Sequence, residues 1–300
     1  MHRTMSGNSR GQYIERLIRA GIDINDARLE LDDFIAAAAD EAAVESFVSR
    51  REQGEPAAYI LGYKDFFKDR FSVGRGVLIP RSDTEILVEA ALQFLGCNDM
   101  PVGDIGRIPV SDHISGRVRM ADICTGTGCA GLSVFLEMLR KGRDVRLFMS
   151  DISPEAVDRA SLNIQNLVPE ENKTLVSLLT EDILTSDGSS YTRDGLLDVV
   201  ISNPPYINDE DMKTLPRDVA SYEPELALRG GADGLSFYFR LAFISDKILK
   251  NGGALIVEHG YDQGPSVREI FEKHGFNNVT TLIDYGGNDR VTFGRKKHGR

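Results

Sequence analysis

The chain has 300 residues, which is enough for one large domain or two ordinary ones. It carries 35 basic and 46 acidic residues, so its formal net charge of −11 excludes a broad cationic surface that coats nucleic acid. A hydrophobic content of 41% with 27% charged residues is typical of a globular protein and excludes disorder along the whole chain.

The cysteines and the apolar runs bear on the compartment. Cys97, Cys124 and Cys129 lack the spacing of a disulfide framework or a zinc site, so we predict no metal and a reducing, cytoplasmic location. No apolar run reaches the roughly 18 residues that cross a bilayer, so no membrane partner is expected. The opening segment is basic before its first acid, Glu15, which leaves an organelle form open.

The first 62 residues read as a small helical unit. Apolar residues recur at three- and four-residue spacing in 13–22, 26–39 and 41–52, and Asp26 and Asp40 are predicted N-caps of the second and third helices. This unit has seven arginines, no lysine and eleven acidic residues, a net charge of −4. It is therefore not expected to bind nucleic acid.

Residues 63–81 alternate aromatic and polar residues, which predicts a β-hairpin linker with Gly74 and Gly76 as its turn signals. Ser82 or Asp83 then opens a predicted helix. A loop rich in glycine, proline and aspartate follows.

Apolar strands and amphipathic helices alternate after Arg117, and two strands separated by a Gly-Gly-Asn-Asp turn close the chain. This order predicts an α/β fold: a Rossmann-like, doubly wound sheet over 82–300 that ends in an antiparallel hairpin. Ligands of such sheets bind at the carboxyl ends of the strands.

A glycine loop lies between the first of these strands and its helix. Gly126 and Gly128 allow a sharp turn and a close approach to a ligand. The run from Gly126 to Gly131 formally matches a dinucleotide fingerprint, but the carboxylate of Asp122 would repel a pyrophosphate and could hold an ammonium group. The pattern favours a nucleoside that bears a cationic amino acid.

Acidic residues follow the next two strands. Asp151 comes 25 residues after Gly126, close to the roughly 20-residue spacing at which an acid binds ribose hydroxyls. Ser153 before Pro154 is a predicted N-cap, so capping and ligand binding can occur together. Asp182 ends the third strand in the same way.

The sequence Asn-Pro-Pro-Tyr at 203–206 follows the fourth strand. Its prolines stiffen the loop and leave carbonyls that only accept hydrogen bonds, so Asn203 and Pro204 can hold a substrate amino group while Tyr206 packs on its plane. An amide nitrogen is a poor nucleophile because its lone pair is delocalised, and such positioning can supply up to roughly 7–11 kcal/mol. The alternative is a stiff structural turn.

These motifs resemble those of the class I S-adenosylmethionine-dependent methyltransferases. The resemblance implies that S-adenosylmethionine is the methyl donor and that the following residues bind it: Cys124, Thr125, Gly126, Thr127, Gly128, Asp151, Asp182, Ile183 and Asn203. Related families usually place a glycine where this chain has Cys124, so its Cβ should slightly restrict the loop. Ile183 replaces an aromatic residue that can stack on adenine.

Longer segments resemble the release factor glutamine N5-methyltransferases: PAAYILGYKDFF, VLIPRSDTEILVE, YEPELALRGGADGLSFY, GGALIVEHGYDQG and DYGGNDRVTFGR. This resemblance implies methylation of the glutamine in the Gly-Gly-Gln loop of peptide chain release factors. It assigns catalysis to Asn203, Pro204 and Tyr206, substrate binding to these three and Pro205, and substrate recognition to residues 1–62.

Several residues in these segments receive structural roles instead. We expect Arg81, Asp83, Glu85 and Glu223 to form structural ion pairs. Glu258 and His259 are interpreted as a packed pair at the end of a strand, and Cys129 as a small core residue.

Two other functions compete. An N-methyltransferase that acts on adenine or guanine of DNA or RNA shares the Asn-Pro-Pro-Tyr motif but would need a basic face or a recognition insert. A noncatalytic partner protein with the same fold would have no use for an intact catalytic loop.

Overall fold

The computed structural model describes residues 7–37, 40–97, 108–111 and 116–297. The first residues of the basic opening segment, 1–6, lie outside the described residues, as do 98–107 and 112–115 of the loop rich in glycine and proline. Within the described ranges, every helix is too short or too polar to span a bilayer.

Four helices come first in the chain, as the periodicity predicts: α1 Gly7–Arg19, α2 Ile24–Ala37, α3 Glu41–Glu52 and the short α4 Ala57–Leu61. They bury Leu17, Leu31 and Phe47 completely, and the rings of Phe34 and Phe47 stack with centroids 4.4 Å apart. This small cluster is separate from the core of the main sheet.

One of the two predicted N-caps is correct. The Asp40 carboxylate accepts a hydrogen bond from the Ala43 amide at 2.9 Å and caps α3. The prediction for Asp26 is wrong, because α2 begins at Ile24 and places Asp26 inside its first turn. Asp23 instead accepts from the Asn25 amide at 2.7 Å, since it is the acid that precedes the helix.

The predicted hairpin forms from β1 Tyr63–Phe66 and β2 Asp69–Ser72. Its turn is not at Gly74 and Gly76, because Phe66 already pairs with Asp69 and leaves a two-residue turn. Phe67 takes a positive φ of 54° there, and its amide donates to the Glu85 carboxylate at 2.9 Å. Gly74 instead makes room for Arg159: a Cβ would lie 2.5 Å from its Nη2.

Among the described residues, seven strands form the main sheet: β3 Val118–Ile123, β4 Val145–Asp151, β5 Val176–Thr180, β6 Leu197–Ser202, β9 Leu249–Glu258, β10 Phe276–Ile283 and β11 Asp289–Lys296. Their order is β10-β11-β9-β6-β3-β4-β5. The five strands from β9 to β5 are parallel, while β11 runs antiparallel to both β9 and β10. The predicted Rossmann-like fold with an antiparallel C-terminal hairpin is confirmed.

Helices cover both faces of this sheet. Helices α5 Glu85–Phe94, α6 Cys129–Arg140 and α7 Pro154–Leu167 pack on one face with Met120 and Val199 of the strands. Helices α9 Ser236–Ile248 and α10 Gly264–Lys273 pack on the other with Ala121 and Val200. Because both faces are buried, the strands read as continuous apolar runs in the sequence.

A small two-stranded sheet, β7 Ile207–Asn208 with β8 Arg229–Gly231, follows the Asn-Pro-Pro-Tyr loop, and helix α8 Arg217–Tyr222 lies between its strands in the chain. Tyr222 links this insertion to the helical unit, since its hydroxyl donates to the Gln53 carbonyl at 3.2 Å. The Tyr59 hydroxyl donates to the Val77 carbonyl at 2.5 Å. The helical unit is thereby attached to segments that border the site.

Candidate active site

The register of the parallel strands brings the predicted motifs together. Ile123 of β3 pairs with Ser150 of β4 and Ser202 of β6, and Ser202 pairs with Val257 of β9. The residues that follow these positions therefore emerge side by side at the carboxyl edge of the sheet. They are Cys124, Asp151, Asn203 and Glu258.

A pocket opens at this edge. It is lined by most of the predicted cofactor and substrate residues: Cys124, Thr125, Gly126, Thr127, Asp151, Asp182, Ile183, Asn203 and Pro205. Further residues that line it include Gly76, Val77, Leu78, Pro80, Arg81, Thr84, Pro224, Leu226, Ala227 and Phe237. The predicted site residues Gly128, Pro204 and Tyr206 lie outside this lining.

Each of these three residues is next in the chain to a residue that lines the pocket. Gly128 is the N-cap of α6, and a Cβ at this position would lie 2.5 Å from the Met149 methyl carbon. Pro204 is buried, and the half-buried Tyr206 packs against the apolar cluster between the sheet and α9. Burial raises the pKa of the Tyr206 hydroxyl, which stays protonated at neutral pH.

The glycine loop has the backbone that its sequence predicts. Cys124 takes a positive φ of 61°, a conformation that costs residues other than glycine roughly 1–2 kcal/mol. Gly126 has a φ of 55° and nothing within 4 Å of where a Cβ would stand. The loop backbone is therefore open to a ligand at Gly126.

Asp122 lies beneath this loop and holds its shape. It is 1% exposed, and its Oδ2 accepts hydrogen bonds from the Thr125 hydroxyl at 2.5 Å and the Gly131 amide at 2.9 Å. Burial raises its pKa to about 7. One carboxylate oxygen thus serves the loop, which leaves Oδ1 for the ammonium group that the sequence predicts.

Asp151 joins the end of β4 to the glycine loop. Its Oδ2 accepts from the Gly126 amide at 2.8 Å and its Oδ1 from the Ser153 amide at 3.0 Å, while burial raises its pKa. The Ser153 hydroxyl accepts from the Ala156 amide at 3.2 Å, so the predicted N-cap of α7 is confirmed.

Asp182 lies two residues beyond the end of β5 and accepts from the Leu184 amide at 2.9 Å. Ile183 beside it is 3% exposed. Together they form the pocket wall that the sequence assigns to the nucleoside.

The amide of Asn203 is oriented by a residue from a distant segment. Its Nδ2 donates to the Thr84 hydroxyl at 3.2 Å, which leaves Oδ1 as an acceptor at the pocket. Thr84 is 3% exposed and ends a short 3₁₀ turn, Ser82–Thr84. Thr84 lies inside the matched segment VLIPRSDTEILVE, but its role was not predicted.

A second contact fixes the backbone of the same loop. The Gln263 amide donates to the Tyr206 carbonyl at 3.0 Å, and its oxygen accepts from the Gly260 amide at 2.9 Å. Gly230 packs so closely that a Cβ would lie 2.7 Å from Tyr206 Cα, and Gly234 packs on the Tyr206 carbonyl. The sequence did not predict that Gln263, Gly230 and Gly234 support this loop.

Ion pairs form at three of the four residues for which they were expected. Arg81 pairs with the buried Glu223, and Asp83 lies 3.4 Å from Arg290. Glu85 has no ion-pair partner in the part of the chain that the structure describes. It instead accepts the hydrogen bond from the Phe67 amide, so the expected ion pair at Glu85 is wrong. Cys129 is buried, as predicted, and contributes to the pocket wall.

Glu258 and His259, at the end of β9, have different surroundings. The buried His259 ring donates to the Gly260 carbonyl at 2.8 Å and accepts from the Thr292 hydroxyl at 2.9 Å, and burial lowers its pKa to about 4. It is the packed residue that was predicted. Glu258 is also buried, but it lies beside Thr84 and Asn203 instead of pairing with His259.

Comparison with known proteins shows which family this chain resembles. Residues 109–219 match the family model described as the methyltransferase small domain. The release factor glutamine methyltransferase of Clostridium acetobutylicum is 37% identical over 82% of this chain and 76% of its own length. That of Neisseria gonorrhoeae is 35% identical over 95% of this chain and 90% of its own length.

A solved structure, the release factor-specific protein-(glutamine-N5) methyltransferase of Alicyclobacillus acidocaldarius, is 25% identical over 76% of this chain and 100% of that chain, with a TM-score of 0.38. The sequence relatives decide the family, since they are 37% and 35% identical to this chain over aligned segments that cover most of both lengths. The chain belongs to the release factor glutamine methyltransferase family.

Proposed function

We propose that this protein transfers a methyl group from S-adenosylmethionine to the side-chain amide nitrogen, N5, of the glutamine in the Gly-Gly-Gln loop of peptide chain release factors. The observation that carries this proposal is the orientation of Asn203 beside the nucleoside pocket, with Nδ2 held by Thr84. The names of the relatives support the same substrate. This substrate implies a cytoplasmic enzyme, with an organelle form left open.

The pocket residues fit S-adenosylmethionine. The open backbone at Gly126 would lie against its methionine part, and Asp122 would face the ammonium group. Asp151 would bind the ribose hydroxyls, and Asp182 with Ile183 would contact adenine. The remaining loop residues, Cys124, Thr125, Thr127 and Gly128, shape this cradle, and the reaction needs no metal.

The transfer itself needs orientation more than acid–base chemistry. Asn203 Oδ1 and the Pro204 carbonyl would accept the two N–H groups of the glutamine amide, while Pro205 and Tyr206 would pack on it. The amide nitrogen would then form a bond to the methyl carbon as the sulfonium–carbon bond breaks. The nitrogen loses one proton to water, and S-adenosylhomocysteine and N5-methylglutamine leave. Positioning of this kind can supply up to roughly 7–11 kcal/mol.

We further propose the division of the chain that the sequence predicts. Residues 1–62 would recognise the release factor, and residues 82–300 would form the methyltransferase domain. The hairpin of residues 63–81 would link the two. The contacts of Tyr59 and Tyr222 support this arrangement, because they attach the helices to segments beside the pocket. The acidic charge of the helical unit favours a protein partner with a basic surface over DNA or RNA.

The test incubates the purified protein with labelled S-adenosylmethionine and a bacterial release factor, its Gly-Gly-Gln variant with glutamine replaced by alanine, DNA or RNA. We expect label on the intact release factor alone. Label on nucleic acid would favour the adenine or guanine methyltransferase, and equal label on the alanine variant would reject the amide. No transfer to any substrate would favour a noncatalytic partner protein.

A further inference from the structure

Glu258 is a buried acid that the proposed mechanism does not use. It is the last residue of β9 and 2% exposed. Because Val257 pairs with Ser202, Glu258 lies level with Asn203 on the neighbouring strand. Its Oε2 has no hydrogen-bond partner among the described residues.

The groups around Glu258 connect it to the catalytic amide. Burial raises the pKa of the Glu258 carboxyl, and hydrogen bonding from the Thr84 and Asn203 side chains acts in the opposite direction and favours the ionised form. Asn203 Nδ2 also donates to Thr84 Oγ1 at 3.2 Å, so the Thr84 hydroxyl proton is free to point onward. The linked side chains of Asn203 and Thr84 therefore lie beside one buried acid, which has an oxygen left to accept a hydrogen bond.

This arrangement matters because the oxygen and the amino group of a carboxamide have similar shapes, but the oxygen accepts hydrogen bonds and the amino group donates them. With its amino group toward Thr84, Asn203 presents its oxygen to the substrate amide. In the reversed orientation, the N–H groups of Asn203 would face the N–H groups of the substrate amide, and no hydrogen bond could form between them. An ionised carboxylate only accepts hydrogen bonds and excludes the reversed orientation. A protonated carboxyl can donate to Oδ1 and permits it.

We propose that ionised Glu258 is a positioning residue that, with Thr84, holds the Asn203 carboxamide with its oxygen toward the substrate. This inference rests on the proposed function and adds a residue to its site. Glu258 touches neither reacting atom and acts through Asn203.

The charges that face Glu258 set the pH at which this support is lost. Burial raises its pKa to about 7, and Asp83 of the 3₁₀ turn acts in the same direction, while Arg290 of β11 opposes both. Other titratable groups that interact with it are Tyr206, Tyr238 and Cys129. The ionised form is present above about 7, so kcat should fall as the pH drops through that value.

The test compares the wild-type protein, Glu258→Gln and Glu137→Gln, with a release factor as substrate, below and above pH 7. Glu137 is another buried glutamate, on α6 and outside the pocket. S-adenosylmethionine is kept saturating, because Asp122 also has a pKa of about 7 and its protonation would weaken cofactor binding. Binding of S-adenosylmethionine is measured separately.

We expect Glu258→Gln to lower kcat about 100-fold, to lose the acid-side fall in kcat and to bind S-adenosylmethionine as the wild type does. Glu137→Gln should keep the wild-type rate and pH profile. A wild-type kcat and profile in Glu258→Gln would overturn the inference, and equal losses of kcat and cofactor binding would show a merely structural role.

A second variant covers the case in which Glu258→Gln does not fold. Thr84→Val removes the hydroxyl between the two side chains and should lower kcat by a similar factor. The double variant should lose little more than either single one, because both act on the same orientation. A full rate in Thr84→Val would overturn the inference, whereas a wild type inactive on the release factor would overturn the proposed function with it.

Discussion

The two halves of the pocket are supported in different ways. On the side proposed to bind the cofactor, hydrogen bonds join residues that are close in the chain: Asp122 accepts from Thr125, three residues away, and from Gly131, nine residues away. On the substrate side, Asn203 is held by Thr84, 119 residues away, and Tyr206 by Gln263, 57 residues away. The cofactor half is therefore local and the substrate half depends on the whole fold, so variants should affect them separately.

The largest expected effect is on the substrate side. Asn203→Ala removes the acceptor for the glutamine amide and should lower kcat at least about 100-fold, with S-adenosylmethionine affinity within about twofold of wild type. Steady-state kinetics and calorimetric binding measure the two quantities. Asn166→Ala, at an exposed position on α7, is the matched control and should change neither. Equal losses of rate and cofactor affinity in Asn203→Ala would contradict the separation.

The converse variant lies on the cofactor side. Asp151→Asn keeps one oxygen but loses the acceptor for either the Gly126 or the Ser153 amide, so we expect S-adenosylmethionine to bind about 10-fold more weakly. At saturating cofactor, kcat should stay near the wild-type value. A large fall in kcat with unchanged cofactor affinity would reverse the roles of the two halves.

Gln263 tests the long-range support of the loop backbone. Gln263→Glu keeps the acceptor for the Gly260 amide but loses the donor to the Tyr206 carbonyl, so kcat should fall about 10-fold, the size of one lost hydrogen bond. Gln263→Ala loses both contacts and should lower thermal stability as well. If Gln263→Glu kept the full rate, the Tyr206 contact would have no part in catalysis.

The smallest effect concerns the strained residue of the glycine loop. Cys124→Gly should unfold with a free energy about 1 kcal/mol higher than Cys124→Ala, because both lose the thiol but only alanine keeps a Cβ at a positive φ. Denaturant unfolding of the two variants measures this difference. Equal stabilities would show that the conformation at this position costs nothing.

The same local and long-range distinction explains what could be predicted from the sequence. The strands and their order of alternation with helices were predictable, because strands buried on both faces read as apolar runs. The positions of Asp151 and Asp182 at the pocket were predictable because each lies at the end of a strand or within two residues of it. Asp182 and Ile183 accordingly lie on the pocket wall.

The wrong predictions and the missed residues depend on contacts that no motif in the sequence indicates. The hairpin turn at Phe67 carries no glycine, and its positive φ is supported by Glu85 across 18 residues. Asp26 lost the capping position because Asp23 stands three residues earlier, before the first turn. Thr84, Gln263 and Glu258 lie in segments that resemble the family, but no motif assigns them a role at this site. The register of β6 with β9 and the packing of the 3₁₀ turn bring them to the Asn-Pro-Pro-Tyr loop.

The central claim is most directly tested by locating the transferred methyl group. Mass spectrometry of a release factor incubated with the protein and S-adenosylmethionine should find one added methyl group, on the side-chain amide of the Gly-Gly-Gln glutamine. The reaction with Asn203→Ala should leave that peptide unmodified over the same time. A methyl group at any other position, or an unmodified glutamine beside methylated nucleic acid, would contradict the account.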